Sequence, residues 1–304
     1  MAKYEWSEVF MSIEGEGPYS GHPTVYVRFT KCNFTCKGFN NPNKVDTLST
    51  GLGFDPAYYA KLEDIPTVTV GCDSIYAWDD RFAHMWHRGD ENALGEAVKA
   101  ILPHQSWAHP VTKQPVILSL TGGEPTLRAK FLPTLLNSAH FKECKHILVE
   151  TNCSVPLKWD FVGALNEWLC ADPTRMLTWS NSPKLSASGE KWDDAIVPKI
   201  ASMQRTVTGR EQAVGPYGHG QAEQYFKFVC GPRDRDFDEV ARAMEVYFAE
   251  GCVPRTTPVY IMPEACIEEQ QQEIASAVAK MCIDRGYKYC HRIQNSVFGN
   301  GVGT

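Results

Sequence analysis

The chain of 304 residues has no apolar run approaching the roughly 18 residues that a membrane-spanning helix needs. Its opening stretch, MAKYEWSEVF, lacks the charged-then-apolar layout of a secretory leader, which predicts a cytoplasmic protein that meets no membrane. Lysine and arginine form no basic run, and the formal net charge is -6. A nucleic-acid binder needs a basic footprint to neutralise phosphates, so nucleic acid is not expected as a direct partner. There is no internal repeat and no low-complexity tract. With 43% hydrophobic and 22% charged residues, the composition is that of an ordinary globular protein, and disorder is excluded.

Cysteine, by contrast, is plentiful at 11. The odd number, the length and the missing leader argue against a secreted disulfide scaffold. In a reducing compartment clustered cysteines more often bind metal, while scattered ones are small core residues. Those at 144, 153, 170, 230, 252, 266, 282 and 290 have no paired spacing and read as core or incidental.

Short β-rich runs alternate with helical periods, the pattern of parallel strands joined by helical crossovers. Strands are expected at Thr24 to Thr30, Val116 to Leu120, His146 to Glu150, Met176 to Ser180, Tyr225 to Val229 and Val259 to Ile261. Helices are expected at Ala93 to Ile101, Ala129 to Ser138, Trp159 to Leu169, Phe237 to Glu250 and Glu268 to Arg285, the last two with clear apolar periodicity. Six such units predict an α/β fold, an open or partial (β/α)6 barrel in one domain over residues 1–304, with inserted segments at about 37–71 and 186–224. Residues 84 to 92 also break the alternation. Functional residues of such sheets gather at the carboxyl ends of the strands.

The first of these strands runs into Cys32-Asn33-Phe34-Thr35-Cys36, two thiols able to face one metal cluster. A site-differentiated [4Fe-4S] cluster needs a third ligand and leaves one iron open for a small molecule. The position three after Cys36 is Phe39, which cannot ligate iron. Gly71-Cys72-Asp73-Ser74 reads as the same loop continued beyond the inserted residues, making Cys72 the third ligand. On spacing alone, zinc at Cys32 and Cys36, or nothing, stays open. Thr121-Gly122-Gly123-Glu124-Pro125 follows the second strand. Paired glycines admit a ligand close to the backbone, and a carboxylate beyond them can accept from an amino group, here that of S-adenosylmethionine (SAM).

Taken together, these motifs resemble the radical SAM enzymes, and among them the 7-carboxy-7-deazaguanine synthase family. Phe10-Met11-Ser12-Ile13-Glu14-Gly15-Glu16-Gly17 is similar to that family's signature, as are Gly21, Pro23 and Val27-Arg28-Phe29. Further matches are Cys72-Asp73-Ser74, Thr121 to Pro125, Glu150-Thr151-Asn152, Ser182-Pro183-Lys184 and Met262-Pro263, so the likeness spans residues 6 to about 295. The resemblance implies a radical SAM barrel in which a reduced [4Fe-4S] cluster and SAM generate a 5'-deoxyadenosyl radical. That radical would take a hydrogen atom from 6-carboxytetrahydropterin, and ring contraction with loss of ammonia would give the deazapurine acid.

By motif position the resemblance makes Cys32, Cys36 and Cys72 the cluster ligands and Ser74 a Mg2+ ligand, where the family usually has threonine. Ile13, Glu14, Gly15, Arg28 and Thr121 would meet the pterin, Arg28 through the substrate carboxylate. Gly71, Asp73, Gly123, Glu124, Ser182, Pro183, Lys184 and the turn Met262, Pro263, Glu264, Ala265 would hold SAM. Two positions depart from the pattern: Glu14 replaces a common glutamine, and Met262 stands in a turn that more often carries Gln-Pro. In the tail Tyr289 to Asn295 only the polar character of the family run survives, and His291 reads as an ordinary histidine. The resemblance also implies a flavodoxin-type or other electron donor and a homodimer. Competing readings are another radical SAM enzyme, such as a glycyl-radical activating enzyme, and a noncatalytic metal-binding module.

Overall fold

β-branched and aromatic runs become strands, and one sheet collects them all. The computed structural model describes residues 4–41, 52–208, 221–299 and 301–303. Among them lie β1 (Tyr4–Ile13), β2 (Pro23–Phe29), β3 (His87–Gly89), β4 (Ile117–Gly122), β5 (His146–Thr151), β6 (Met176–Asn181), β7 (Gln221–Cys230), β8 (Val259–Pro263) and β9 (Lys288–Tyr289). Their order is β3-β1-β2-β4-β5-β6-β7-β8-β9. From β2 to β9 every pairing is parallel, whereas β1 and β3 join antiparallel at one edge. All six expected strands are present in this parallel set, with ends shifted by a few residues.

The helices are α1 (Glu91–Ile101), α2 (Leu132–Leu136), α3 (Trp159–Cys170), α4 (Trp192–Ala195), α5 (Pro198–Arg205), α6 (Asp234–Phe248), α7 (Glu268–Arg285) and α8 (Ile293–Phe298). Asp90 starts α1 by accepting from the amides of Asn92 and Ala93 at 3.1 and 2.9 Å. The helix expected over Ala129 to Ser138 is instead a 3-10 turn, Pro125–Phe131, followed by the short α2. Pro133 lacks the N–H an unbroken helix would need there, and so it opens a new one. The expected break at 84–92 holds β3 and the start of α1. The segment read as an insertion at 186–224 contains α4, α5 and the first four residues of β7, while its residues 209–220, like 42–51 of the first insertion, lie outside the described residues.

Period-two alternation sorts each parallel strand. Val25, Val27, Phe29, Leu118, Leu120, Ile147, Val149, Phe226 and Phe228 face the helices in the main core, with Leu94, Leu135, Phe161, Trp168, Phe237, Met244 and Val278 packed against them. The opposite face therefore carries Tyr26, Arg28, Thr121, Glu150 and Lys227, all lining one cavity. That face is concave. Lys227 of β7 hydrogen-bonds Glu16, three residues beyond β1, although five pairings separate the two strands in the sheet. A flat sheet would hold them about 24 Å apart at roughly 4.8 Å per strand, more than three residues, reaching about 10 Å, can bridge. The sheet curls without closing, since β3 and β9 end it, and the result is a partial barrel.

A second apolar cluster forms beside it from Leu62, Ile65, Val68, Ile75, Tyr76, Phe82, Met85 and Trp86, with Val302 packed on it. Leu62, Ile65 and Val68 of the first insertion thus share a small core with residues of the segment that follows Cys72. Among the described residues no helix is long and apolar enough to cross a membrane.

Candidate active site

Two backbones meet where the first cysteines lie. Beyond β2, Lys31 takes φ 75° and Cys36 φ 46°, so the loop turns sharply back. The glycine turn after β4 docks against it: Gly123 N donates to Phe29 O at 3.1 Å and Glu124 N to Lys31 O at 2.9 Å. A Cβ on Gly123 would stand 2.2 Å from the Lys31 carbonyl oxygen, so glycine is required by the neighbouring loop itself.

The ends of the first insertion are zipped together. Gly71 N donates to Phe39 O at 2.8 Å and Asn40 Nδ2 to Thr69 O at 2.8 Å, which returns Cys72 to the loop that residues 37–71 interrupt. Cys32, Phe39 and Cys72 pack against the buried cluster of Phe34, Cys36 and Ala195, and all three thiols border the cavity. Burial pushes the Cys32 thiol up to about 12 and raises Cys36 and Cys72 too, with Cys72 adding to the rise at Cys32 and Cys36 and Asp73 to that at Cys72, while Lys184 opposes all three. Three neighbouring thiols of this kind ionise only against a strong positive centre, which a coordinated metal cluster provides. Among the described residues no His, Cys, Asp and Glu set is gathered tightly enough for a single metal ion. The three cysteines border one cavity, and soft thiolates are the donor set that iron-sulfur clusters take.

The cavity has a volume of about 470 Å³ and a strongly polar floor. The loop after β1 crosses the amino ends of the strands and buries Glu14, whose Oε1 accepts from Glu16 N at 3.2 Å and Oε2 from Tyr26 Oη at 3.0 Å. Burial, reinforced by the nearby Glu150, pushes the Glu14 carboxyl up to about 8 against the opposing pull of Lys227 and Tyr26. Glu150 is raised for the same first reason and accepts from Thr121 Oγ1 at 2.7 Å. Burial lowers Lys227, which pairs with Glu16. Arg28 gives Nε to Glu8 at 2.5 Å and Nη1 to Ser74 Oγ at 3.1 Å, with the Phe10 and Tyr76 rings each 5.7 Å away. Ser74 donates in turn to Asp73 Oδ1 at 3.2 Å.

Of the residues singled out in the sequence, Cys32, Cys36, Gly71, Cys72, Asp73, Ser74, Glu14, Arg28, Thr121, Gly123, Ser182, Lys184, Met262 and Ala265 line this cavity. Ile13, Gly15, Glu124, Pro183, Pro263 and Glu264 are not among its lining residues. Gly15 backs onto Gln294, which does line it. Glu124 is fully buried and wholly engaged: Oε1 accepts from Thr126 N, Thr126 Oγ1 and Thr151 Oγ1 at 2.9, 2.5 and 2.8 Å, and Oε2 from Asn152 N at 2.7 Å. Its carboxylate holds the neighbouring turns together. Glu264 pairs with Arg233 and accepts from Asn40 N at 3.0 Å, bracing the insertion.

Sequence reasoning gave no role to Glu16, Glu150, Lys227, Arg292 or Gln294, all in the wall. Lys227 carried a legible signal, a lone cation between Phe226 and Phe228 in an apolar strand. Cys266, expected to be core or incidental, borders the cavity, and its Sγ donates to Gly71 O at 3.6 Å. Cys153 is fully buried in the main core and does not border it. His291 bonds Ser296 and Glu268 outside the cavity. From the first insertion Glu63, Ile65, Pro66, Thr67 and Val68 complete the wall, and Gly301 and Val302 join them.

No family model matches the chain. It is 26% identical over 301 residues to the 7-carboxy-7-deazaguanine synthase of Rhodopirellula baltica, covering 98% of this chain and 88% of that protein. With the 7-carboxy-7-deazaguanine synthase of Pyrobaculum aerophilum the identity is 23% over 297 residues, 97% of this chain and 95% of that protein. The crystal structure of QueE from Escherichia coli superimposes with a TM-score of 0.50 at 15% identity, covering 95% of this chain and 93% of that one, a likeness of fold. The similarity to proteins of that name therefore runs the length of the chain, as the motifs implied.

Proposed function

We infer that the chain is a 7-carboxy-7-deazaguanine synthase, a radical SAM enzyme of deazapurine biosynthesis that converts 6-carboxy-5,6,7,8-tetrahydropterin to 7-carboxy-7-deazaguanine with loss of ammonia. The observation that carries this reading is the return of Cys72 to Cys32 and Cys36 at the wall of a cavity whose other end is lined with carboxylates and cations. Full-length similarity to proteins of that name supports it.

Cys32, Cys36 and Cys72 would hold a [4Fe-4S] cluster, with Gly71, Asp73, Gly123, Ser182, Lys184, Met262 and Ala265 on the side where SAM would lie. Bound together, these cofactors supply the one-electron chemistry that removes a hydrogen atom from the substrate. The protein binds, orients and shields. Glu14 keeps its proton at neutral pH and can donate as well as accept, which restores the hydrogen-bonding repertoire of the glutamine common at this position. Thr121 orients Glu150, and the two carboxyls with Tyr26 offer a mixed donor and acceptor wall to a pterin edge. Arg28, fixed by Glu8, presents its charge to a substrate carboxylate. Ser74 is the proposed Mg2+ ligand, and a cation there replaces the hydrogen bond from Arg28. Ile13 and Gly15 would shape the pocket through backbone, while Glu124, Pro183, Pro263 and Glu264 would support it without lining it.

The rest of the reading follows the resemblance: one domain in a cytoplasmic homodimer, with a flavodoxin-type or other donor supplying the electron. The deciding assay is anaerobic, with 6-carboxytetrahydropterin, SAM, Mg2+ and a reductant, read by mass for the deazaguanine acid. SAM cleavage without that product would point to a different radical SAM substrate. A reconstituted chain that binds no four-iron cluster would defeat the reading.

A further inference from the structure

The polar stretch after β6 has work that its sequence did not disclose. Glu190 Oε1 accepts three hydrogen bonds from the cysteine loop, from Thr35 N at 2.8 Å, Cys36 N at 2.8 Å and Thr35 Oγ1 at 3.2 Å. The same stretch grips the loop one step further on: Gly38 N donates to Ser188 O at 2.9 Å, and a Cβ on Gly38 would stand 2.6 Å from backbone atoms of residues 187 to 189. Ser188 holds Glu190 in turn, its Oγ accepting from Glu190 N at 3.1 Å and donating to Leu185 O at 2.6 Å. Glu239 of α6 anchors the start of the stretch by accepting from Ser186 N and Oγ at 3.0 and 2.6 Å.

Amides in a ligand loop commonly turn toward the sulfurs and favour the reduced cluster. Here the only such contact among the described residues of the Cys32 to Cys36 loop is Phe34 N to Cys32 Sγ at 3.4 Å, while the amides of Thr35 and Cys36 go to a carboxylate. We propose that Glu190 is a positioning residue for the iron-sulfur cluster, fixing the Cys32 to Cys36 loop through its amides and setting a negative charge beside it. This rests on the functional reading above. Two effects follow. The hydrogen bonds hold the loop in its ligating shape, and the charge disfavours adding an electron nearby, which lowers the reduction potential.

The test uses the full chain, reconstituted anaerobically, as wild type, Glu190→Gln, Glu190→Ala and the remote surface control Glu143→Gln. Glutamine keeps an acceptor oxygen and removes the charge, so Glu190→Gln is expected to shift the midpoint potential upward by spectroscopically monitored titration while retaining iron. Alanine removes both, and iron release to a chelator is expected to quicken about tenfold, the scale of losses when a supporting partner of a metal ligand is removed. Metal-free Glu190→Ala should also lose amide protection in the peptide spanning residues 33 to 38, a readout independent of the cluster. If the wild type takes up the cluster and both variants match it in potential, iron release and exchange, this inference falls and the functional reading stands. A wild type that takes up no four-iron cluster overturns both.

Discussion

Arg292 donates from Nη1 to Asp73 Oδ2 at 2.6 Å, joining the C-terminal segment to the residue that follows the third cysteine. Its Nη2 also donates to the Ala265 carbonyl, so one guanidinium ties the tail, the turn after Cys72 and the loop after β8. Burial would raise the Asp73 carboxyl, but Arg292 and then Arg28 outweigh it and hold the group below its ordinary range. The side chain of Arg292 is 8% exposed and that of Asp73 46%, the latter facing the cavity. Arg292→Met should therefore cost about 2 kcal/mol, less than the roughly 3–5 kcal/mol of breaking a fully buried pair. A urea-denaturation cycle with Asp73→Asn checks it. Coupling of at least about 0.5 kcal/mol is expected, and strictly additive effects would refute the link.

Glu14 predicts a pH dependence of stability with a definite sign. Its carboxyl rises from 4.5 to about 8 on folding, so across that window the folded chain holds a proton that the unfolded chain has released. Its contribution is complete at the acid end and is lost as pH climbs toward about 8. Glu150 acts in the same sense, whereas Lys227, lowered by burial, acts oppositely. Glu14→Gln removes the titrating group, and its amide can donate to Tyr26 Oη. The variant should gain thermal stability relative to wild type as pH rises from about 5 to about 8. A constant difference between the two melting temperatures across the window would contradict the shift.

What was legible follows from where periodicity survives. The six parallel strands are buried apolar runs of ordinary length, and α7 begins and ends where the sequence placed it, at Glu268 and Arg285. β1 was missed because Ser7, Glu8 and Ser12 are buried polar residues within it, and Glu8 is there to meet Arg28 and Tyr76. A strand that feeds a polar cavity loses the apolar alternation by which strands are found. β3 and β9, at three and two residues, are too short to show any period. Local motifs revealed the cysteines, and Lys227 stood out as a lone cation in an apolar strand, but the roles of Glu150 and Arg292 emerge only when the sheet curls and brings distant strands to one space.

Removing single thiols separates ligands from core residues. Cys72→Ala should abolish iron retention after anaerobic reconstitution, because the zipped insertion offers no other thiol in its place. Cys153→Ala should keep the iron and lose about 1 kcal/mol, the cost of a small buried void. Cys266→Ala is the informative case, since its sulfur borders the same cavity. Retained iron in that variant leaves three thiolates and an open iron. Loss as complete as in Cys72→Ala would make Cys266 a fourth protein ligand and would close the position proposed for SAM.

Two glycine substitutions should fail in different ways. At Gly123 the new methyl meets the Lys31 carbonyl oxygen at 2.2 Å and its carbon at 2.6 Å, both backbone atoms of the loop that leads into Cys32. Neither can withdraw without moving the cysteine, so Gly123→Ala should lose about 2–3 kcal/mol and most of its iron. At Gly15 the methyl would stand 1.4 Å from Gln294 Oε1, the far end of a flexible side chain. Swinging that side chain away costs about 1 kcal/mol or less in stability. Gln294 lines the cavity, so the displacement reshapes the wall where the proposed pterin pocket lies. Gly15→Ala should accordingly keep its iron and its fold while KM for the pterin rises. Iron loss in Gly15→Ala, or full iron retention in Gly123→Ala, would reverse the assignment of these two turns.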